Sequence, residues 1–327
     1  VPLTLDQVKA PTRPFRRRVR YATRRSRILP TFLIIGAQRA ATTSLFTNLR
    51  RHPEVIGPRT ADTSVAWWKE LHFFDENYWR GPDWYRAFFP LEARQRISRR
   101  FGRELACGEA TPYYLFHPAV PERVKETLPD ARLIALLRNP VERAYSHYQH
   151  MRLTGREKLS FAEAIDAEER RVRGAGEELL HEKPSDRKQG NRRHHEHRHR
   201  AYVGRGLYAE QLERWFERFP REQLLVLRSE DLLARPDEIY ARVFAFLGVR
   251  EWSPGGLEAR NVASYAPIEP ELRARLEKRF AEPNERLVEL LGPEFTWESG
   301  VDAPGTSPGA ILRPAQPAVA ERTQARS

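Results

Sequence analysis

The chain of 327 residues contains one cysteine, Cys107, and one methionine. An intramolecular disulfide and a cysteine-based metal cluster are therefore excluded, and a reducing compartment fits. No run of about 18 apolar residues occurs, so no membrane-spanning helix is expected. Residues 1–15 lack the apolar stretch of a signal peptide, and the expectation is a cytoplasmic protein. Lysine is scarce as well: only seven of the 56 basic residues are lysine and the rest are arginine. What the chain does have is positive charge, formally +12. That balance points to anionic partners such as a phosphorylated cofactor, an acidic glycan, nucleic acid or a membrane surface. Arginine in particular favours two-pronged contacts with phosphate and sulfate. Hydrophobic residues make up 40% of the chain, enough for one large core.

Residues 1–29 read as a basic, flexible N-terminal arm. Residues 300–327, rich in Pro, Ala and Gly, read as a disordered tail. The body, 30–299, alternates short apolar runs with longer amphipathic stretches. That alternation predicts an α/β, P-loop-like three-layer domain with a central parallel sheet flanked by helices. Strands are expected at 31–36, 105–109, 132–137 and 223–227. Helices are expected at 43–49, 141–153, 161–173, 208–219, 237–247 and 270–291, with Asn139 capping the second ahead of Pro140. Residues 174–205 read as a His/Arg-rich loop or insertion. Its tract RRHHEHRHR carries His194, His195, Glu196, His197 and His199 without a fixed ligand spacing. A solvated loop rimming the site of an acidic substrate is preferred there over a metal site.

The first chemical motif is the apolar run TFLIIG leading into GAQRAATTSL. A strand, a tight turn and a helix form the layout in which backbone N–H groups and a helix N-terminus face an anion. A Walker A loop would read G-x-x-x-x-G-K-[ST]. Counted from Gly36, its second glycine falls on Ala41 and its lysine on Thr42. The lysine that serves a nucleoside triphosphate is absent, and Arg39 stands three positions earlier. The small residues Ala40, Ala41, Thr42, Thr43 and Ser44 permit a close backbone approach to a ligand.

Two further segments stand out. LLRNPVERAYSHYQHMR sets Arg138 at a strand end, Pro140 at a helix start, and Arg143 and Ser146 one turn apart on one helix face. WWKELHFFD sets Glu70, His72 and Asp75 among Trp67, Trp68, Phe73 and Phe74, with the phenylalanines expected to pack inward.

Together, and in this order, the three motifs resemble those of sulfotransferases that use 3′-phosphoadenosine 5′-phosphosulfate (PAPS). The first resembles the 5′-phosphosulfate loop, with Gly36, Gln38, Arg39, Ala40, Ala41, Thr42, Thr43 and Ser44 as its positions. The usual lysine is Arg39 here, and the usual glycine is Ala41, which alanine can replace only if the position does not require φ > 0. The second resembles the 3′-phosphate motif R-x-P-x-x-R-x-x-S-x-[YW], which implies donor contacts from Arg138 and Ser146. The third resembles the K-E-x-H-F-F-D segment of the carbohydrate, heparan sulfate-like branch. There the glutamate is the general base, which implies that role for Glu70, with His72 and Asp75 assisting and Lys69 also matching. GEATPYYL resembles a family segment that often carries lysine where this chain has Ala110. Tyr208, in GLYAEQLERWFERF, and Ser264 and Tyr265, in NVASYAPIEP, fall where the resemblance implies further donor contacts.

The implied reaction is sulfuryl transfer from PAPS to a hydroxyl or amino group of a carbohydrate or glycosylated small molecule. Glu70 takes the acceptor proton and Arg39 stabilises the leaving phosphate. No metal, no nucleic-acid partner and no membrane span are expected. Three alternatives stay open at this level: a degenerate homologue in which Ala41 and Ala110 have removed activity, a P-loop nucleotide-binding protein or kinase, and a binder of nucleic acid or acidic glycan.

Overall fold

A computed structural model describes residues 18–58, 70–181, 192–253, 255 and 266–297. The sequence readings at Trp67, Trp68, Lys69, Ser264 and Tyr265, on the first part of the arm and on the tail lie outside these residues.

The apolar runs become strands because each is buried along nearly its whole length. β1 (Phe32–Gly36) and β3 (Ala106–Ala110) are buried at every position. β4 (Arg132–Leu137) exposes only its first residue. With β2 (Val55–Ile56) and β5 (Leu224–Arg228) they form one parallel sheet in the order β2-β3-β1-β4-β5. Leu33 pairs with Leu133 and Leu133 with Leu224, so the register aligns continuous apolar rows, as expected for a sheet covered on both faces. β2 escaped the sequence reading because two residues give no periodicity.

Among the described residues, after a helical stretch at 18–22, the helices are α1 (Thr42–Leu49), α2 (Gly81–Arg86), α3 (Glu92–Arg100), α4 (Val120–Thr127), α5 (Pro140–Leu153) and α6 (Phe161–Val172). They continue with α7 (Ala175–Leu180), α8 (Arg192–Arg200), α9 (Tyr208–Phe216), α10 (Ser229–Ala234), α11 (Pro236–Leu247) and α12 (Pro270–Leu291). α5 starts as its sequence demands. The Asn139 side chain accepts from the Val141 and Glu142 N–H groups, and Pro140 occupies the first turn, where its missing N–H is no loss.

The reading of 174–205 as a loop is corrected: the segment contains α7 and α8. α8 is held by tertiary contacts that its polar composition does not announce. Glu196 and His197 are buried, the His197 ring stacks 4.3 Å from Phe116, and its Nδ1 lies 2.7 Å from the Tyr113 hydroxyl. An Arg200–Glu196 pair at 2.6 Å, four residues apart, adds local support.

Two apolar clusters shape the site. The larger one surrounds the sheet. The smaller one joins Val141, Tyr148 and Met151 of α5 to Phe161 and Ile165 of α6 and to Tyr202 and Phe280. It fixes the roll of α5, and so decides which of its residues face the sheet ends. β1 is the central strand, with β3 on one side and β4 on the other. The carboxyl ends of β1 and β4 therefore flank the switch point where open parallel sheets bind ligands.

Candidate active site

The loop between β1 and α1 is tight at both ends. A Cβ added to Gly36 would lie 2.5 Å from Leu115 Cβ, so only glycine fits there. The Ala37 N–H donates to Leu136 O on β4, tying the loop to the neighbouring strand. Arg39 and Ala41 both adopt the left-handed conformation, with φ of 71° and 60°. The condition under which alanine replaces glycine without penalty is therefore not met, and Ala41 holds a conformation that costs about 1–2 kcal/mol for an L-residue. Ala40, Thr42 and Ser44 are buried, while Gln38, Arg39, Ala41 and Thr43 are partly exposed.

Arg138 and Ser146 come to this loop as the motif spacing suggests. Arg39 Nε donates to Ser146 Oγ at 3.1 Å, and Arg138 Nη1 donates to Arg39 O at 3.3 Å. Tyr208, expected as a donor contact, starts α9. It is buried and its hydroxyl donates to Arg138 O at 2.8 Å, so it orders the end of β4. Arg143 is likewise enclosed, donating to Tyr202 O from the interior.

The sequence reading missed Arg205. Its guanidinium is buried, donates to Gln38 Oε1 and Arg198 O, and lies 4.6 Å from the Tyr113 ring centroid. Burial pushes its pKa below the usual arginine range; Tyr113 opposes that, and the Arg143 and Arg198 charges lower it further. Glu168 of α6 sets the backbone on which Arg205 sits by accepting from the Val203 and Gly204 N–H groups at 2.7 and 2.8 Å. The flanking glycines of Gly204-Arg205-Gly206 were the available signal, since a Cβ on Gly206 would meet Phe280 at 2.8 Å.

The second group of candidate residues sits on the turn that carries Glu70, His72 and Asp75. His72 is left-handed at φ 48°, and a π-helical turn, Phe73–Asn77, follows it. His72 O accepts from the Glu76 and Asn77 N–H groups at 3.2 and 2.9 Å. The reversal brings His72 Nδ1 to 2.6 Å from Asp75 Oδ2 and Nε2 to 3.3 Å from Glu70 Oε2. Burial disfavours charge on the imidazole. The Asp75 carboxylate and hydrogen bonds to Asp75 and Glu70 outweigh that effect, while Arg198 opposes them, and the His72 pKa is raised to about 9. Burial pushes the Asp75 carboxyl upward, but His72 overcomes it and holds the pKa below its ordinary value. Phe73 and Phe74 pack inward as expected, Phe73 stacking on Tyr85 with centroids 4.2 Å apart.

Arg198 of α8 also reaches this turn. Its Nη2 lies 3.0 Å from His72 Nε2, and it pairs with Glu76. Arg198 is only a donor, so it can hydrogen-bond Nε2 only of the neutral imidazole; beside the charged form it is a like charge that lowers the His72 pKa. The Glu70 contact fits either a proton on Nε2 or the imidazolium. The ligand atoms of His72, Asp75 and Glu76 lie within 4.8 Å of one another. These groups are already engaged with one another, Glu70 and Arg198, so the arrangement is an ion-pair network and no metal set is assigned.

One residue of α5 senses both the loop and the turn. His150, one turn beyond Ser146, has its pKa lowered by burial and then by the Arg39 and Arg156 charges, while Glu70 raises it. It therefore lies within electrostatic range of both Arg39 and Glu70. The i, i+4 spacing of Ser146 and His150 was the signal for it.

Comparison with known proteins decides the family: residues 29–258 match the sulfotransferase domain. The chain belongs to that family. It is a sulfotransferase, and the family draws its sulfuryl group from PAPS. This sulfotransferase is similar to one of known structure from Alicyclobacillus acidocaldarius. They are 31% identical with a TM-score of 0.56, covering 81% of this chain and 96% of that one. It is 26% identical to the membrane-associated sulfotransferase kil1 of Dictyostelium discoideum, over 83% of this chain and 67% of that protein. It is 32% identical to the human bifunctional heparan sulfate N-deacetylase/N-sulfotransferase 3, over 68% of this chain. The matched part is only 22% of that human enzyme. No described helix of the sulfotransferase is long and apolar enough to cross a membrane.

Proposed function

We propose that this sulfotransferase moves the sulfuryl group of PAPS to a hydroxyl or amino group of a carbohydrate-type acceptor, with Glu70 as general base. The observation that supports the reading most is that an arginine-bearing loop at a helix N-terminus and a carboxylate–imidazole–carboxylate turn both lie within electrostatic range of His150. On the loop side, the end of α1, Arg39, Arg138 and Ser146 fit the charge of a phosphosulfate donor. Arg39 stabilises charge growing on the bridging oxygen as the S–O bond to phosphate breaks. On the turn side, Glu70 removes the acceptor proton. His72 orients Glu70 and is itself held by buried Asp75, so the three act as a chain in which only Glu70 meets the acceptor. Transfer needs in-line placement of two substrates more than covalent chemistry by the protein.

The carbohydrate acceptor is supported by the similarity to an enzyme named for heparan sulfate. The test is transfer of labelled sulfate from PAPS to a panel of desulfated glycans. It is paired with calorimetric titration of 3′-phosphoadenosine 5′-phosphate (PAP) against ATP–magnesium. PAP binding with no labelled glycan would overturn the acceptor class, and absence of PAP binding would overturn the donor assignment.

A further inference from the structure

The turn that carries Glu70 is not held by its own segment alone. Glu109, at the end of β3, is fully buried, and both of its carboxylate oxygens are engaged twice. Oε1 accepts from the Tyr85 hydroxyl at 2.5 Å and the Tyr114 hydroxyl at 2.9 Å. Oε2 accepts from the Leu71 N–H at 3.0 Å and the Thr111 hydroxyl at 2.8 Å. The Tyr114 oxygen in turn accepts from the Phe73 and Phe74 N–H groups at 2.9 and 3.4 Å. One carboxylate and one hydroxyl thus collect three backbone N–H groups from the segment Leu71–Phe74.

We propose that Glu109 is a positioning residue for the reaction: it grips the peptide joining Glu70 to Leu71 and, through Tyr114, the entry of the turn, and so aims Glu70 and closes His72 onto Asp75. Three observations lead there. The first N–H groups of a helical turn have no partner within it, and a negative charge at that end is favourable. Here the residue at the cap position, left-handed His72, makes no side-chain capping hydrogen bond. Glu109 supplies an accepting carboxyl from the sheet, the most rigid part of the fold; burial pushes its pKa up, and the hydrogen bonds from Tyr85, Leu71, Thr111 and Tyr114 act against that shift. Second, its four partners are all N–H or O–H donors, and none is a basic side chain. A dry carboxylate without a cation is a poor device for stability alone, because an apolar residue in a packed interior does better. Third, the Leu71 N–H belongs to the same peptide as the Glu70 carbonyl. A shift of that peptide turns the base directly, whereas the loop side hangs on β1, β4 and α5.

This inference rests on the reading of Glu70 as the base, but its principal test does not. The readout is the NMR titration of the His72 ring, assigned with His72→Asn, in the wild type, Glu109→Gln, Tyr114→Phe and Tyr85→Phe. The charged groups facing His72 are Glu70, Asp75 and Glu76 of its own segment and Arg198 of α8, with His117 acting on Asp75. None of these is altered. Glu109→Gln sets an amide N–H against the donors. Tyr114→Phe leaves Glu109 in place and releases the Phe73 and Phe74 N–H groups. Tyr85→Phe removes a hydroxyl that donates to Glu109 and keeps the ring that stacks on Phe73.

The expected result is that His72 titrates near 9 in the wild type and Tyr85→Phe. It should fall by about one unit or more in Glu109→Gln and Tyr114→Phe as contact with Asp75 loosens. In those two variants kcat, measured with PAPS and N-desulfated heparin, falls about tenfold or more, while the PAP dissociation constant stays within about twofold. Unchanged His72 titration in folded Glu109→Gln, or equal shifts in all three variants, makes Glu109 a core residue only and overturns the proposal. If Glu109→Gln does not fold, the contrast between Tyr114→Phe and Tyr85→Phe decides in the same way. Failure to sulfate the heparin probe counts against the acceptor reading and leaves the His72 result standing.

Discussion

The loop wall and the turn wall of the site are fastened by different means. The 37–41 loop is an extension of the central strand: Ala37 N–H bonds to β4, and Arg138, at the end of that strand, reaches Arg39 O. Its shape follows from the strand end and from small side chains, and the side-chain contacts of Arg138, Ser146 and Arg205 add to that. The Glu70–Asp75 turn is held by side chains of other elements instead, by Glu109 of β3, by Tyr114, and by Arg198 of α8. Backbone anchoring makes a site robust to substitution at single positions. Side-chain anchoring makes it adjustable, because changing one carboxylate or guanidinium re-aims the reacting group without touching the sheet.

The largest way to separate the two walls is Glu70→Gln. Turnover is expected to fall by about 10²–10⁴-fold, the range for loss of a positioned base. PAP affinity, read by calorimetry, should be unchanged. A variant that retained turnover would remove Glu70 from the base role and leave the loop wall as the whole of the catalytic apparatus.

The His72–Asp75 pair is the next test, and it works through pH. The His72 pKa is raised from 6.5 to about 9 on folding. Its contribution to stability is therefore fully present below about 6.5 and is lost as pH rises through about 9. Asp75 is shifted the other way, so its contribution is present above its unfolded value and fades in acid. Urea unfolding should show Asp75→Asn destabilised by at most about 3 kcal/mol near pH 6, with the gap narrowing toward pH 10. A gap that did not narrow would mean that His72 does not carry the charge.

Arg138→Ala addresses the opposite wall and has a smaller effect. Loss of a charge-assisted contact should weaken PAP binding by about 1.5–3 kcal/mol. Turnover at saturating PAPS should change less than in Glu70→Gln. Normal PAP affinity would move the 3′-phosphate contact away from the end of β4.

What the sequence revealed follows the same division. β1, β4 and β5 were legible because strands buried on both faces are continuous apolar runs, and α5 because Asn139-Pro140 is a start signal of known geometry. Arg39, Arg138 and Ser146 were legible for that reason, since strand ends and helix starts fix where they lie. Glu70, His72 and Asp75 were found only as a motif. Nothing in their spacing announces a left-handed residue followed by a π-helical turn. α8 was hidden because its sequence is polar throughout, and its helix depends on His197 docking against Tyr113 and Phe116, 84 and 81 residues away in sequence. Glu109 was visible only as a carboxylate in an apolar run, a conflict between residue type and burial whose resolution lies in Leu71, Tyr85, Thr111 and Tyr114.

A conflict of the same kind on the loop wall gives the smallest prediction. Ala41 has φ of 60°, and its strain of about 1–2 kcal/mol falls away in Ala41→Gly. Glycine also gains freedom in the unfolded chain, which offsets about 0.4–1 kcal/mol of that relief. The net expectation is stabilisation by about 0.5–1 kcal/mol in urea unfolding, with PAP affinity unchanged or slightly stronger. The sign matters more than the size. At a position with ordinary negative φ the same substitution destabilises, because it loses the helix-favouring methyl at the start of α1 and gains only unfolded-state freedom. A destabilised Ala41→Gly would thus show that the loop is not held left-handed at this residue in solution. A stabilised one would show that the loop keeps its ligand-facing shape despite its side chain, because the strand end and the Arg39–Ser146 contact impose it.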